Sequence, residues 1–320
     1  MQITQIILYS YIFSIIYILS SIPLTLSYRT TRVFNFAHPV FITYGAYIAI
    51  FASKLLGDAF LMIIAPLAFA TGGIIALINH LLVLKPLARQ KVSSNIYMIA
   101  TMGLWFIYQY ILYSICQILS RTYGENFLSY PTIIFKDISY LQNVLGLRNI
   151  PQYLITFTLI GCIVLVLLYF IFNKTILGLA LKAVADNEML ASVCGIPYDK
   201  LVYLMWFLVG GITALSGMLW VNFSGSTTPD IGLYIVVDDF AAAFIGGLYS
   251  LTVTGLASIL LASVENILTS FLNYYFGMSP TIRIAIVFGV IFTVLVIKPP
   301  LGAGGGLPYR FLKKRRSVKS

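Results

Sequence analysis

Residues 152–173, QYLITFTLIGCIVLVLLYFIFN, run for 22 positions without a charge. About 20 apolar residues in a helix span the hydrocarbon core of a bilayer. Several runs of this kind follow one another along the 320-residue chain. In all, 60% of the chain is apolar and 9% is charged, against about 45–50% and about 25% in soluble domains. So little charge does not cover a water-soluble globule, and so apolar a chain is not disordered. An outer-membrane barrel would show short alternating segments instead. The fold expected is an all-α polytopic membrane protein of about 8–10 transmembrane helices.

Nine spans are predicted, at 4–26, 37–53, 59–84, 96–119, 152–173, 201–222, 233–249, 251–273 and 281–298. The region 233–273 reads either as two spans or as one span with a broken or re-entrant segment. The first span lacks a basic leader region and a small-residue cleavage site, and is expected to be retained. The longest loop, 120–150, holds a predicted short helix near 137–146. The whole chain, 1–320, is expected to form one transmembrane domain, ending in a basic tail at 303–320.

Charge orients this bundle. There are 20 Lys and Arg against 10 Asp and Glu. With the C-terminus in the cytoplasm, 15 of the 20 basic residues lie inside, as the positive-inside rule prefers. Lys54, Arg121, Lys136, Arg148 and Arg283 are left outside. The basic excess therefore serves orientation and the lipid surface, and no nucleic-acid partner is expected. Cys116, Cys162 and Cys194 have no paired spacing, and His38 and His80 do not make a metal site unaided. No cofactor is expected.

The segment 174–200 is too charged to span. Leu177, Leu181, Val184, Met189, Leu190 and Val193 recur at helical spacing, with Lys182, Asp186 and Glu188 between them. Gly195, Ile196 and Pro197 then form a helix stop. One or two short amphipathic helices are predicted on the inner face. They either pack on the bundle and membrane or offer an apolar stripe to a partner.

Four stretches together resemble one family. GLALKAVADNEMLASVCGI (178–196) is similar to the cytoplasmic coupling loop of ABC importer membrane subunits. NFAHPVFITYGAYIA (35–49) resembles the NFAHG…GAY signature of branched-chain amino acid (LIV-type) permeases. DFAAAFIGGLYSLTVTGLASILLASVEN (239–266) and the ending VIKPPLGAGGG (296–306) resemble that family's later motifs. The resemblance implies a permease subunit of an ABC importer in a prokaryotic cell membrane. It implies two ATP-binding subunits, a second homologous permease and an extracytoplasmic solute-binding protein. It places a coupling helix between spans 5 and 6, with Ala183, Asp186, Ala191, Gly195 and Ile196 at positions that meet the ATPase. Consistent with hydrolysis in another chain, no G-x-x-x-x-G-K-[ST] occurs here. Pro39 stands where the family commonly has Gly, and Asp238 near an expected Lys, so branched-chain and related small polar solutes both stay open.

Charges at membrane depth are costly and usually face the bundle interior. Asp238, Asp239 and Glu265 are the acidic residues of the predicted spans. They read either as a polar lining of the translocation path or as interhelical hydrogen bonds, and no intramembrane Lys or Arg presents itself as a partner. An ion-coupled secondary transporter using them is the rival function. Asn35 is expected to cap the helix that Pro39 opens, either at the interface or as a half-helix inside the membrane. His38 joins the candidate path, or packs at the interface if the helix starts there. Gly246 and Gly247 form a candidate hinge within a span. The stretches 35–47 and 239–249 share Phe-Ala, Phe, Gly and Tyr at different spacing, an echo of the internal repeats of transporters. Small-residue pairs such as Gly210 and Ala214 are expected to form packing seams.

Overall fold

A computed structural model describes residues 3–297, apart from 91, 147–149 and 187. The predicted tail 303–320 and the ending motif beyond 297 lie outside the described residues. Seven helices are long and apolar enough to cross a bilayer. They are α1 (Ile3–Thr31), α2 (His38–Leu56), α3 (Leu61–Arg89), α4 (Ser94–Tyr123), α6 (Gln152–Lys174), α9 (Tyr198–Phe223) and α11 (Leu251–Phe276). A short α5 (Lys136–Val144) lies in the long loop, as predicted. Between α6 and α9 come two short helices, α7 (Ile176–Asp186) and α8 (Glu188–Val193).

The ambiguous region resolves into two helices of unequal length. α10 (Ile231–Ile245) has 15 residues and precedes α11, which has 26. α12 (Ile282–Ile297) is also short, at 16 residues. At 1.5 Å per residue, α10 and α12 rise about 22–24 Å, less than the roughly 30 Å hydrocarbon core. Gly246 and Gly247 are not inside a span, as predicted, but make the turn that leaves α10, with Gly247 at φ 68°.

Four helices at each end of the chain pack in the same pattern. α1 packs on α11 as α9 packs on α3, and α9 packs on α2 as α1 packs on α10. The pairs α2–α3 and α2–α4 recur as α10–α11 and α10–α12. α1 ends, and α9 begins, at the end of the bundle that carries Arg29, Lys85 and Arg89, so the second set runs inverted, an arrangement found in transporters. We call this the basic end. The two short entries match: α2 follows the irregular segment 32–37 and α10 follows 224–230, with flanking residues Ala37 at φ −82°, ψ 0° and Asp230 at φ −87°, ψ 0°. The repeat is therefore not the one the Phe-Ala echo suggested. That echo pairs the opening of α2 with the second half of α10 and its exit turn.

α1, α2 and α9 are buried over most of their surface, whereas α4, α6 and α11 expose long apolar faces suited to lipid. The predicted seams hold the centre together. Gly72 packs on Gly210 and Ala214, and a Cβ on Gly217 would run into the Ile42 carbonyl. Small residues let membrane helices approach this closely.

Candidate functional site

α2 begins inside the bundle. His38, its first residue, is fully buried and donates from Nε2 to the Ser20 carbonyl at 3.0 Å. Ser20 lies eleven residues before the end of α1 at Thr31, about 16 Å along the helix. α2 thus starts well inside the bundle, yet at 19 residues it is a full-length spanning helix rather than a half-helix, and His38 sits among buried residues of α1 and α10. Asn35 is buried too, but it is not the cap of α2. Its Oδ1 accepts from the Ala37 N–H at 3.0 Å, two residues on, and Ala37 takes the flanking position. This local turn competes with capping because the Asn side chain reaches its own backbone so readily.

The start of α10 comes up against α2. Gly232 N–H donates to Thr43 Oγ1 at 3.1 Å, and a Cβ on Gly232 would strike the Pro39 carbonyl. From α4, Gln109 and Tyr113 donate to the Asp230 carboxylate at 3.0 and 2.5 Å.

Seven and eight residues into α10 lie Asp238 and Asp239, both buried. Asp239 accepts from Ser20 Oγ at 2.5 Å, and its other oxygen lies 4.0 Å from His38 Nε2. Asp238 pairs with Arg283 Nη2 at 3.2 Å. Arg283 also ion-pairs with buried Glu265 and donates to the Tyr17 hydroxyl. Tyr17 in turn donates to Glu265 Oε2 at 3.0 Å. The guanidinium lies over the Phe13 ring, 4.4 Å from its centroid. So an intramembrane cation does serve the acidic residues. Arg283 looked like a loop residue because α12 starts deep and short, and the long side chain reaches α1, α10 and α11 at once.

Along the same face of α1 the polar contacts continue without charge. Ser21 pairs with Ser258 at 2.7 Å and Thr25 with Thr254 at 3.1 Å. Tyr17 and Ser20 were not singled out in the sequence, and Arg283 was read only as an outside basic residue. The signal for α1 was the four-residue spacing of Tyr17, Ser21 and Thr25, which places them on one helical face.

At the basic end, α7 and α8 form the predicted amphipathic pair. Gly195 adopts φ 81°, and Ile196 N–H closes the helix stop on the Ala191 carbonyl at 3.1 Å. Ala191 is buried, Ala183 and Ile196 pack against the bundle core, and Gly195 is exposed. Asp186 ends α7, and its side chain lies outside the described set. Among the described apolar residues, Leu190 and Val193 of α8 are turned outward, as are Ile176 and Leu179 of α7. A hydrogen bond joins α7 to segment 32–37. Arg32, in the left-handed region at φ 59°, donates from Nη2 to the Ala185 carbonyl at 3.0 Å and stacks over the Tyr249 ring. The last carbonyls of a helix lack partners within it, and a guanidinium suits that negative end.

These features agree with the comparisons to known proteins. The family model described as branched-chain amino acid transport system / permease component matches residues 6–297. The chain is 29% identical over 308 residues to the probable branched-chain amino acid transport permease protein LivH of Methanocaldococcus jannaschii, covering 96% of this chain and 94% of that one. It is 28% identical over 155 residues to the fructose import permease protein FrcC of Rhizobium meliloti, covering 47% and 40%. Among solved structures, PsaBC from Streptococcus pneumoniae in complex with Fab matches with a TM-score of 0.50 at 14% identity, over 97% of this chain and 95% of that one, a likeness of fold alone.

Proposed function

The chain belongs to the branched-chain amino acid transport permease family and is the membrane permease subunit of an ABC importer, and from that premise we propose which partners, cargo and moving parts it uses. Two ATP-binding subunits dock at the basic end, which faces the cytoplasm together with the C-terminus. A second, homologous permease completes the path, and a solute-binding protein delivers the cargo from outside. ATP is hydrolysed in the partner chains. The cargo is an amino acid with a branched or similarly compact apolar side chain. The LivH relative, whose name gives that cargo, aligns over nearly the whole chain, whereas the fructose permease aligns over less than half.

The observation that carries the mechanism is the Arg32–Ala185 hydrogen bond. Closure of the ATPases pushes on α7 and α8 through Leu190 and Val193. Arg32 passes the push to segment 32–37, and so to Asn35 and the start of α2. His38 then shifts against Ser20 and Asp239 in the interior. The turn at Gly246 and Gly247, beside Tyr249 under the Arg32 guanidinium, moves with it. Asp238 and Glu265 hold α10 and α11 to α12 through Arg283. Ion-coupled transport is disfavoured, because Arg283 already engages two of the three acidic residues such a mechanism would need.

The test is Arg32→Gln in the assembled transporter reconstituted in vesicles. ATP hydrolysis continues while uptake per ATP falls severalfold. Unchanged uptake per ATP would overturn the lever role. Leu190→Glu with Val193→Glu releases the ATPases on purification, and a complex that stays intact would move the docking face elsewhere.

A further inference from the structure

A cavity of ≈ 520 Å³ opens between segment 32–37, the last turns of α3, and the starts of α4 and α9. Ligand pockets commonly hold about 300–1,000 Å³. Its wall includes the one turn of π-helix in the structure's described residues, His80–Leu84. Such turns often mark functional sites, because the extra residue displaces side chains from the regular helical face.

The polar groups of this wall are unusual in two respects. His80 and Trp206 stack with ring centroids 5.7 Å apart, and both line the cavity. Each is more than nine-tenths buried, yet Trp206 Nε1 and His80 Nδ1 have no hydrogen-bond partner. An indole N–H is only a donor, and a buried donor left unpaired in a native structure demands an explanation. The second feature is charge. Arg32, Lys85 and Arg89 line the cavity against a single carboxylate, Asp199, which Lys85 engages at 2.8 Å. Arg89 has no carboxylate partner among the described residues.

We propose that this cavity binds a small carboxylate with a compact apolar body, entering from the basic end. Arg89 takes the carboxylate in a charge-assisted pair, and the edge of the stacked His80–Trp206 pair that lines the cavity beds the apolar part. Resting on the function proposed above, the natural occupant is the imported amino acid itself, so the permease senses the product on the side where it accumulates. Asp199 lies on the same wall to meet its ammonium group.

The experiment uses the purified permease–ATPase complex without the solute-binding protein. Trp105→Phe and Trp220→Phe leave Trp206 as the one tryptophan of this chain, and a matched complex with Trp206→Phe as well supplies the partner chains' signal for subtraction. L-leucine, 4-methylpentanoate (which lacks the ammonium) and 3-methylbutylamine (which lacks the carboxylate) are titrated into the millimolar range. The two carboxylates give a saturable change and the amine gives none. Arg89→Gln weakens both responses about tenfold, as expected for losing one charge-assisted bond. If the double tryptophan variant does not assemble, equilibrium dialysis of labelled 4-methylpentanoate reads the same ratio between the parent and Arg89→Gln complexes. No saturable response to 4-methylpentanoate, or equal affinity in Arg89→Gln, overturns the site. A wrong cargo assignment shows separately, as ATP-driven uptake that ignores leucine while the 4-methylpentanoate response stands.

Discussion

The two halves of the inverted helix order make the same crossing by different means. In the first half, α2 meets α9 backbone to backbone, with Gly45 against Ala214 and Gly217 against Ile42. In the second half, α10 meets α1 at the corresponding place. There Asp238 and Asp239 stand at the same distance from the helix start as Gly45 and Ala46 do in α2. Those carboxylates are held by Ser20 and by the Arg283 network. Touching backbones admit one arrangement, whereas long polar side chains can exchange partners. The difference divides labour: the α2–α9 crossing is a close-packed seam, and the α1–α10 crossing is the one whose side chains can exchange partners.

Three substitutions sharpen or break that contrast. The largest effect is expected of Arg283→Gln, which leaves Asp238 and Glu265 buried without their cation. Removing one partner of a buried ion pair costs about 3–5 kcal/mol, read as a lower unfolding midpoint of the purified complex. Arg283→Met combined with Asp238→Asn and Glu265→Gln recovers most of that loss. If Arg283→Gln alone is as stable as the parent, the second half is not held by charge. Next comes Gly217→Val, which forces a side chain into the α2–α9 seam. Overpacking costs about 1–3 kcal/mol, and a fully tolerated valine would show the seam to be slack. The smallest effect is expected of Ser21→Ala, which removes one hydroxyl pair between α1 and α11. Such interhelical bonds average about 0.6 kcal/mol in membranes, so a loss comparable to that of Arg283→Gln would erase the distinction between charged and neutral contacts.

Much of this was legible in the order of residues. Uncharged apolar runs located the spanning helices, because the bilayer imposes a length that local sequence must meet. The Gly195 stop was also legible, since Gly, Ile and Pro in succession specify a local geometry. The carboxylates at depth stood out through their rarity. Their partner did not: Arg283 is 45 residues from Asp238 and 266 from Tyr17, and its role depends on how deep α12 begins. The π-turn at His80–Leu84 was equally hidden, because its residues are as apolar as any regular helix. Asn35 misled for a local reason, since cap and turn share the same side-chain chemistry.

The buried start of α2 also bears on how the chain is made. Irregular backbone is tolerated within a bilayer only where protein or water surrounds it. The Phe36 N–H is satisfied by Thr101 of α4, at 3.1 Å, and α10 packs across the opening turn of α2 through Gly232 and Thr43. Both partners leave the ribosome long after residue 36 does. The hairpin of α1 and α2 therefore enters the membrane before its own interior can be completed, and the early chain must wait, with that segment near water, until its later helices arrive.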